Sequence, residues 1–186
     1  ANILNVSIKE KITELAAKAS VPVVSLMEKI PGMNFSGIDN QSAVCTLVEH
    51  LITRHHCRTI NYIHGPESSY EDQQRFLAYR DKDLLPDAFV CANDNIAVGV
   101  CLAAEKSGYK IPDDFLITGC DNENKASFFN PRITTVGFSK AEVMYNALRL
   151  FHDIWNDKNV SDHIYAPVTH VFQESCHCTP ANPADR

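Results

Sequence analysis

Asp87-Ala-Phe-Val-Cys-Ala-Asn93-Asp94-Asn-Ile-Ala-Val-Gly99 decides the fold of this chain. An apolar β-rich run stops abruptly in Asn-Asp and continues directly into a helical pattern. Two other stretches end in the same way: Thr59-Ile-Asn-Tyr-Ile-His64-Gly65 and Phe115-Leu-Ile-Thr-Gly119-Cys120-Asp121. Strands that alternate with helices require a parallel sheet with right-handed crossovers. Nearly continuous apolar strands fit burial on both faces. In such sheets the loops at the carboxyl ends of the strands line the crevice where ligands bind. The pattern thus predicts an α/β fold, a Rossmann-like parallel sheet flanked by helices, with 59–64, 88–92 and 115–119 adjacent and their polar ends at one edge.

Working outward, Ser7-x-x-Glu10 is a capping box that opens a helix over 7–19. Residues 22–26 read as a buried strand and Pro31-Gly32-Met33-Asn34 as a turn. A helix runs from Asp39, its N-cap, to about His55, and another begins at Ser68 or Ser69. A helix over 94–107 stops at Gly108. An irregular loop follows Asp121, then a strand over 133–136. Ser139-x-x-Glu142 caps a long helix with Val143, Met144, Ala147, Leu148, Phe151 and Trp155 on one face. A strand over 167–173 precedes a polar tail. Residues 80–87 leave too little room for a parallel crossover, which takes a dozen residues or more.

Composition narrows the function. The 186 residues are 45% apolar, enough for a substantial core. A net charge of −6, without basic clusters interleaved with aromatics, argues against a nucleic-acid-binding surface on this chain by itself. No apolar run approaches the ~18 residues of a membrane span. Seven cysteines, an odd number mostly inside apolar runs, read as free buried thiols of a reducing, cytoplasmic setting. Cys176-His177-Cys178, with His170 nearby, is the exception. Without a second ligand pair in the sequence, an ordinary strand end is favoured over zinc, so no metal and no cofactor is expected. Nucleophile-elbow, phosphate-loop, dinucleotide and zinc-protease motifs are missing, which argues against an enzyme.

The ordered series Gly65-Pro66-Glu-Ser-Ser69 with Arg75, the 87–99 stretch, Ile111-Pro-Asp-Asp114, Ile117-Thr-Gly119-Cys-Asp121-Asn122 and Asn130-Pro131-Arg-Ile-Thr134-Thr135-Val136 resembles the effector-binding module of the lactose/galactose/purine repressor family. These modules have the type I periplasmic-binding-protein fold. The resemblance runs from about Val21 to Glu174. It implies two Rossmann-like lobes joined by three crossovers, with ligand in the cleft between them. By the same resemblance, 1–36 is the end of a partial first lobe, 37–130 a nearly complete second lobe, 131–160 the return crossover and 161–186 the final strand and tail. The chain is then expected to be incomplete, lacking a DNA-binding head and a β/α stretch at 80–87. The implied partners are a small polar metabolite, sugar-like or nucleoside-like, a second copy in a homodimer, and DNA only through an absent domain. No membrane is implied. Alternatives are a sensor fused to another output, such as a nucleotide cyclase, and a solute-binding protein.

The resemblance assigns ligand contacts to Arg75, whose guanidinium fork suits paired hydroxyls, and to Asp121, an acceptor directly after a strand. Of Asn93 and Asp94, one caps the helix while the other faces the cleft, and the resemblance gives the cleft to Asn93. Ser69 is either a helix cap or a ligand donor. His64 could face the cleft. Phe128 or Phe129 could stack on a sugar ring, with core packing expected of at least one.

Overall fold

The computed structural model describes residues 6–63 and 85–179. In chain order its first elements are α1 (Val6–Lys18), β1 (Val24–Leu26), β2 (Asn34–Gly37), α2 (Asn40–His55), β3 (Ile60–Ile63) and β4 (Ala88–Cys91). Then come α3 (Asp94–Lys106), β5 (Leu116–Thr118), α4 (Asn124–Phe128), β6 (Thr135–Phe138) and α5 (Lys140–Trp155). Strands β7 (His163–Tyr165) and β8 (Val168–Val171) and a 3-10 turn at Glu174–Cys176 complete them. His64, Ser69, Arg75 and most of the short connection at 80–87 lie outside the described residues.

The chain forms two compact units, neither continuous in sequence. One comprises Ala1–Asn40 with Phe138–Val168, the other Gln41–Gly137 with Thr169–Arg186. In the first unit β1, β2 and β7 form a parallel sheet, Ser25 opposite Phe35 and Ser36 opposite Ile164. Ile38, Val143 and Ala166 are buried together there. The Ser36 hydroxyl donates to the Val143 carbonyl at 2.8 Å, fixing α5 on the strands. Two of these strands escape the sequence reading. Asn34-Phe-Ser-Gly37 has one large apolar residue and two weak strand formers, and His163-Ile-Tyr165 is only three residues long. Helix α5 also differs from expectation. Val143, Asn146, Ala147 and Leu150 are buried, whereas Met144, Leu148 and Trp155 are exposed, so its apolar residues occupy two stripes.

In the second unit β3, β4 and β5 are adjacent and parallel, with Tyr62, Val90 and Thr118 in register. Their carboxyl ends therefore share one edge, as the repeated polar endings predict. Side chains alternate across a strand, and β4 shows the consequence. Phe89 and Cys91 pack with Ile96, Ala97, Val100 and Ala104 of α3. Ala88 and Val90 pack on the other face with Leu51, Cys57, Leu116 and Cys176. Phe89 meets Phe115 edge to face, centroids 5.1 Å apart, an arrangement aromatic quadrupoles favour. Gly108, at φ +81°, ends α3 where a side chain would be strained.

Residues 174–178, expected in the polar tail, are part of this core together with Gln173, the expected strand end, while the strand itself spans Val168–Val171. The Ser175 hydroxyl donates to the Ile117 carbonyl at 2.6 Å and accepts from Thr134 N at 2.8 Å. The Gln173 amide donates to the Ile133 carbonyl, and Arg132 grips Glu174 through both its guanidinium and its backbone N–H. The loop after Asp121 likewise contains α4, and the strand expected at 133–136 lies at Thr135–Phe138.

Candidate functional site

At the carboxyl edge of β3–β5, the β4–α3 junction sets the arrangement. Asn93 has extended backbone (φ −157°, ψ 171°), and its Oδ1 accepts from Ile96 N at 3.0 Å. Asn93 is thus the helix cap, and its cap oxygen is turned to the backbone. Asp94, the alternative cap, is instead fully buried. Its Oδ1 accepts from Thr135 Oγ1 at 2.6 Å, its Oδ2 from Glu123 N at 2.7 Å, and its N–H donates to Cys120 O at 2.8 Å. One carboxylate therefore joins the loops after β4 and β5 to β6.

Two features permit this. Gly119 leaves the space that Asp94 fills, because a Cβ there would collide with Asp94 Oδ1 and lie 3.2 Å from its Cα. The backbone at Asp121 and Asn122 is left-handed (φ 98° and 47°), turning the loop so that Asp121 N donates to Val136 O at 2.8 Å. Local side-chain bonding makes Asp and Asn tolerant of this region. Burial pushes the Asp94 carboxyl up to about 6, against the pull of its two donors. Asp121 is half-buried at the same edge. Phe128, on α4, is 86% exposed, while Phe129 packs against the core. The division expected from the sequence, with Asp94 as the cap and Asn93 facing the cleft, is thus corrected: Asn93 caps the helix, and Asp94 is buried against Thr135, a partner the sequence did not single out. Ser69 and Arg75 belong to the undescribed stretch.

The opposite, amino edge holds a second polar cluster. His50 and His55 of α2 meet Cys176 and Cys178, with all four ligating atoms within 4.8 Å of one another. Nε2 of His50 lies 3.1 Å from Nε2 of His55, 3.3 Å from Cys178 Sγ and 3.8 Å from Cys176 Sγ. His55 Nε2 lies 3.5 Å from Cys178 Sγ. Burial, then neighbouring positive groups, lowers the pKa of both imidazoles; burial, then the Cys176 thiol, pushes Cys178 up to about 12. His170, the histidine the sequence placed beside Cys176-x-Cys178, pairs instead with the Ala43 carbonyl at 3.0 Å.

The fold and these residues set the chain beside known proteins. Residues 48–176 match the profile of the periplasmic binding protein-like domain. The chain belongs to this family. It is 42% identical over 88 residues to the HTH-type transcriptional repressor PurR of Mannheimia succiniciproducens, covering 47% of this chain and 25% of that protein. The match to this curated relative therefore spans only about a quarter of its length. In fold it is similar to the Lac repressor bound to ONPG in the repressed state, with TM-score 0.78, 18% identity, and 90% of this chain and 60% of that one covered. It is also similar to a LacI family regulator of Lactobacillus casei with bound glucose (TM-score 0.72, 18% identity, 90% and 74% covered). The resemblance read from the ordered motifs is the family found, and the α/β periplasmic-binding-protein fold is the fold observed. Among the described residues no helix is long and apolar enough to cross a membrane.

Proposed function

We propose that this chain is the effector-binding part of a cytoplasmic transcriptional regulator, sensing a small sugar-like or nucleoside-like metabolite without chemical change. The observation that carries this reading is that Asn93 and Asp121 directly follow strands β4 and β5 at the carboxyl edge of one parallel sheet, in a chain similar to repressors, with Phe128 exposed on α4. Asp121 would accept from ligand hydroxyls, the Asn93 Nδ2 would donate, Phe128 would stack on an apolar ring face, and Arg75 and Ser69 would complete the set. Relatives named as transcriptional repressors, and a LacI-family neighbour with bound glucose, favour this class of ligand. Catalysis is disfavoured because Asp94, the strongly perturbed carboxyl here, and the Thr135 hydroxyl that donates to it are both fully buried, out of reach of a substrate. DNA would be bound by a separate domain, in a homodimer. The two compact units would correspond to the partial and the nearly complete lobe. Ligand would shift a two-state equilibrium by its differential affinity for one state.

Calorimetric titration of the full-length protein with monosaccharides and nucleosides tests the reading. One ligand should bind with one-to-one stoichiometry, and Arg75→Ala and Asp121→Ala should each weaken it. Undiminished affinity in both variants would exclude this site.

A further inference from the structure

We propose that His50, His55, Cys176 and Cys178 form a structural zinc site, independent of the effector reading. A tetrahedral Cys2His2 ion with Zn–S of about 2.3 Å and Zn–N of about 2.0–2.1 Å requires N–N, N–S and S–S separations of about 3.4, 3.5 and 3.8 Å. The observed N–N distance is 3.1 Å and three of the four N–S distances are 3.3, 3.5 and 3.8 Å, with every pair inside 4.8 Å. Four donors thus already stand close to the corners of one coordination sphere.

Their surroundings hold them there. His55 is the last residue of α2, and His56 at φ 56° turns the chain away after it. Phe172 stacks on the His50 ring, centroids 3.9 Å apart and planes 21° apart, which fixes the direction of Nε2. The 3-10 turn ends in left-handed His177 (φ 58°), and Cys178 N donates back to Gln173 O at 3.1 Å, so the two sulfurs of Cys-x-Cys approach the same histidine. Cys176 is fully buried, with Thr134 Oγ1 at 2.8 Å from its sulfur. An outer hydrogen bond of this kind orients and stabilises a thiolate ligand. Four protein ligands leave no open position, which marks a structural rather than a catalytic ion. Zinc(II) would displace one proton from each thiol, giving a bound unit of two thiolates, two neutral imidazoles and no net charge. No redox change is involved.

The alternative is four side chains hydrogen-bonded among themselves. Direct measurement separates the two. The reduced full chain, stripped with a chelator, should take up one zinc per chain in competition with a chromophoric chelator. Cobalt(II) in its place should show the intense visible bands of a tetrahedral ion and thiolate-to-metal charge transfer. Cys178→Ser and His55→Asn, both at half-buried positions, should each weaken zinc by more than about 100-fold, since loss of even an outer partner costs 10–100-fold. Circular dichroism of the stripped variants should match that of the stripped parent. Zinc uptake below stoichiometry, an octahedral cobalt spectrum, or binding undiminished in both variants would overturn the proposal.

Discussion

The two ends of the β3–β4–β5 sheet both tie carboxylates and amides to donors, but only the amino end adds a cluster of ligating atoms facing one another. At the carboxyl edge, acceptors face donors: Asn93 takes the N–H of Ile96, and Asp94 takes the Glu123 N–H and the Thr135 hydroxyl. Asp87, at the amino end of β4, does the same with the N–H groups of Arg58 and Thr59 at 2.6 and 2.8 Å. Close by, His50, His55, Cys176 and Cys178 converge as four ligating atoms of similar character. A polar residue at a strand end therefore does not announce a ligand. The atoms it leaves available after the backbone is satisfied do.

The sharpest way to break this contrast is at Asp94. Asp94→Ala leaves two buried donors without their acceptor, each costing about 1–3 kcal/mol. A loss of about 2–5 kcal/mol should appear in urea unfolding, and a loss below about 1 kcal/mol would deny the carboxylate its scaffold role. Asp121→Ala should instead act on binding, weakening the effector by about 1.5–3 kcal/mol in calorimetry with little change in unfolding midpoint. If stability falls and affinity does not, Asp121 belongs with Asp94. Gly119→Ala forces a methyl into the space of Asp94 Oδ1 and should cost about 1–3 kcal/mol; an unchanged midpoint would show that Asp94 shifts freely.

Acid provides a subtler probe. The Asp94 carboxyl has a folded pKa of about 6, above its unfolded value of about 3.9. The stability its protonation contributes is thus fully present below about pH 4 and lost as pH rises through 6. Between pH 7.5 and 5 the parent should gain about 1.4 kcal/mol relative to Asp94→Asn, measured by denaturant unfolding of both. A difference that stays flat across this range would place the carboxyl's pKa elsewhere. Smallest of all, Asn93→Ala should cost about 1 kcal/mol of stability, the usual worth of a helix cap.

Legibility in the sequence followed the length scale of the physics. Ala88-Phe-Val-Cys91 and its capped helix announce themselves because the apolar run, the Asn cap and the helical spacing are all local. The sheet order followed from the same rhythm. Strands β2 and β7 were hidden because Asn34, Ser36 and Gly37 gain strand conformation only from their neighbours in the sheet. Helix α5 misled because Val143 and Met144 are both apolar, yet adjacent positions point about 100° apart. At the carboxyl edge the sequence marked Asn93 and Asp94 as a cap and its neighbour but exchanged their roles, since the Thr135 hydroxyl that holds Asp94 lies 41 positions away. Cys176-x-Cys178 looked unsupported because its partners in α2 are separated from it by more than 120 positions, and His170 was the nearer but wrong candidate.

That separation also sets an order of events at the ribosome. His50 is synthesised 126 residues before Cys176, a delay of about 6–25 s at 5–20 residues per second. Until residues 173–175 emerge, the Ile117 and Ile133 carbonyls lack the Ser175 hydroxyl and Gln173 amide that satisfy them in the finished fold. Buried carbonyls need such partners, so until then these two must keep water as theirs. A chain ending before Gln173 would lack the hydrogen bonds by which residues 173–175 cover Ile117, Ile133 and Thr134.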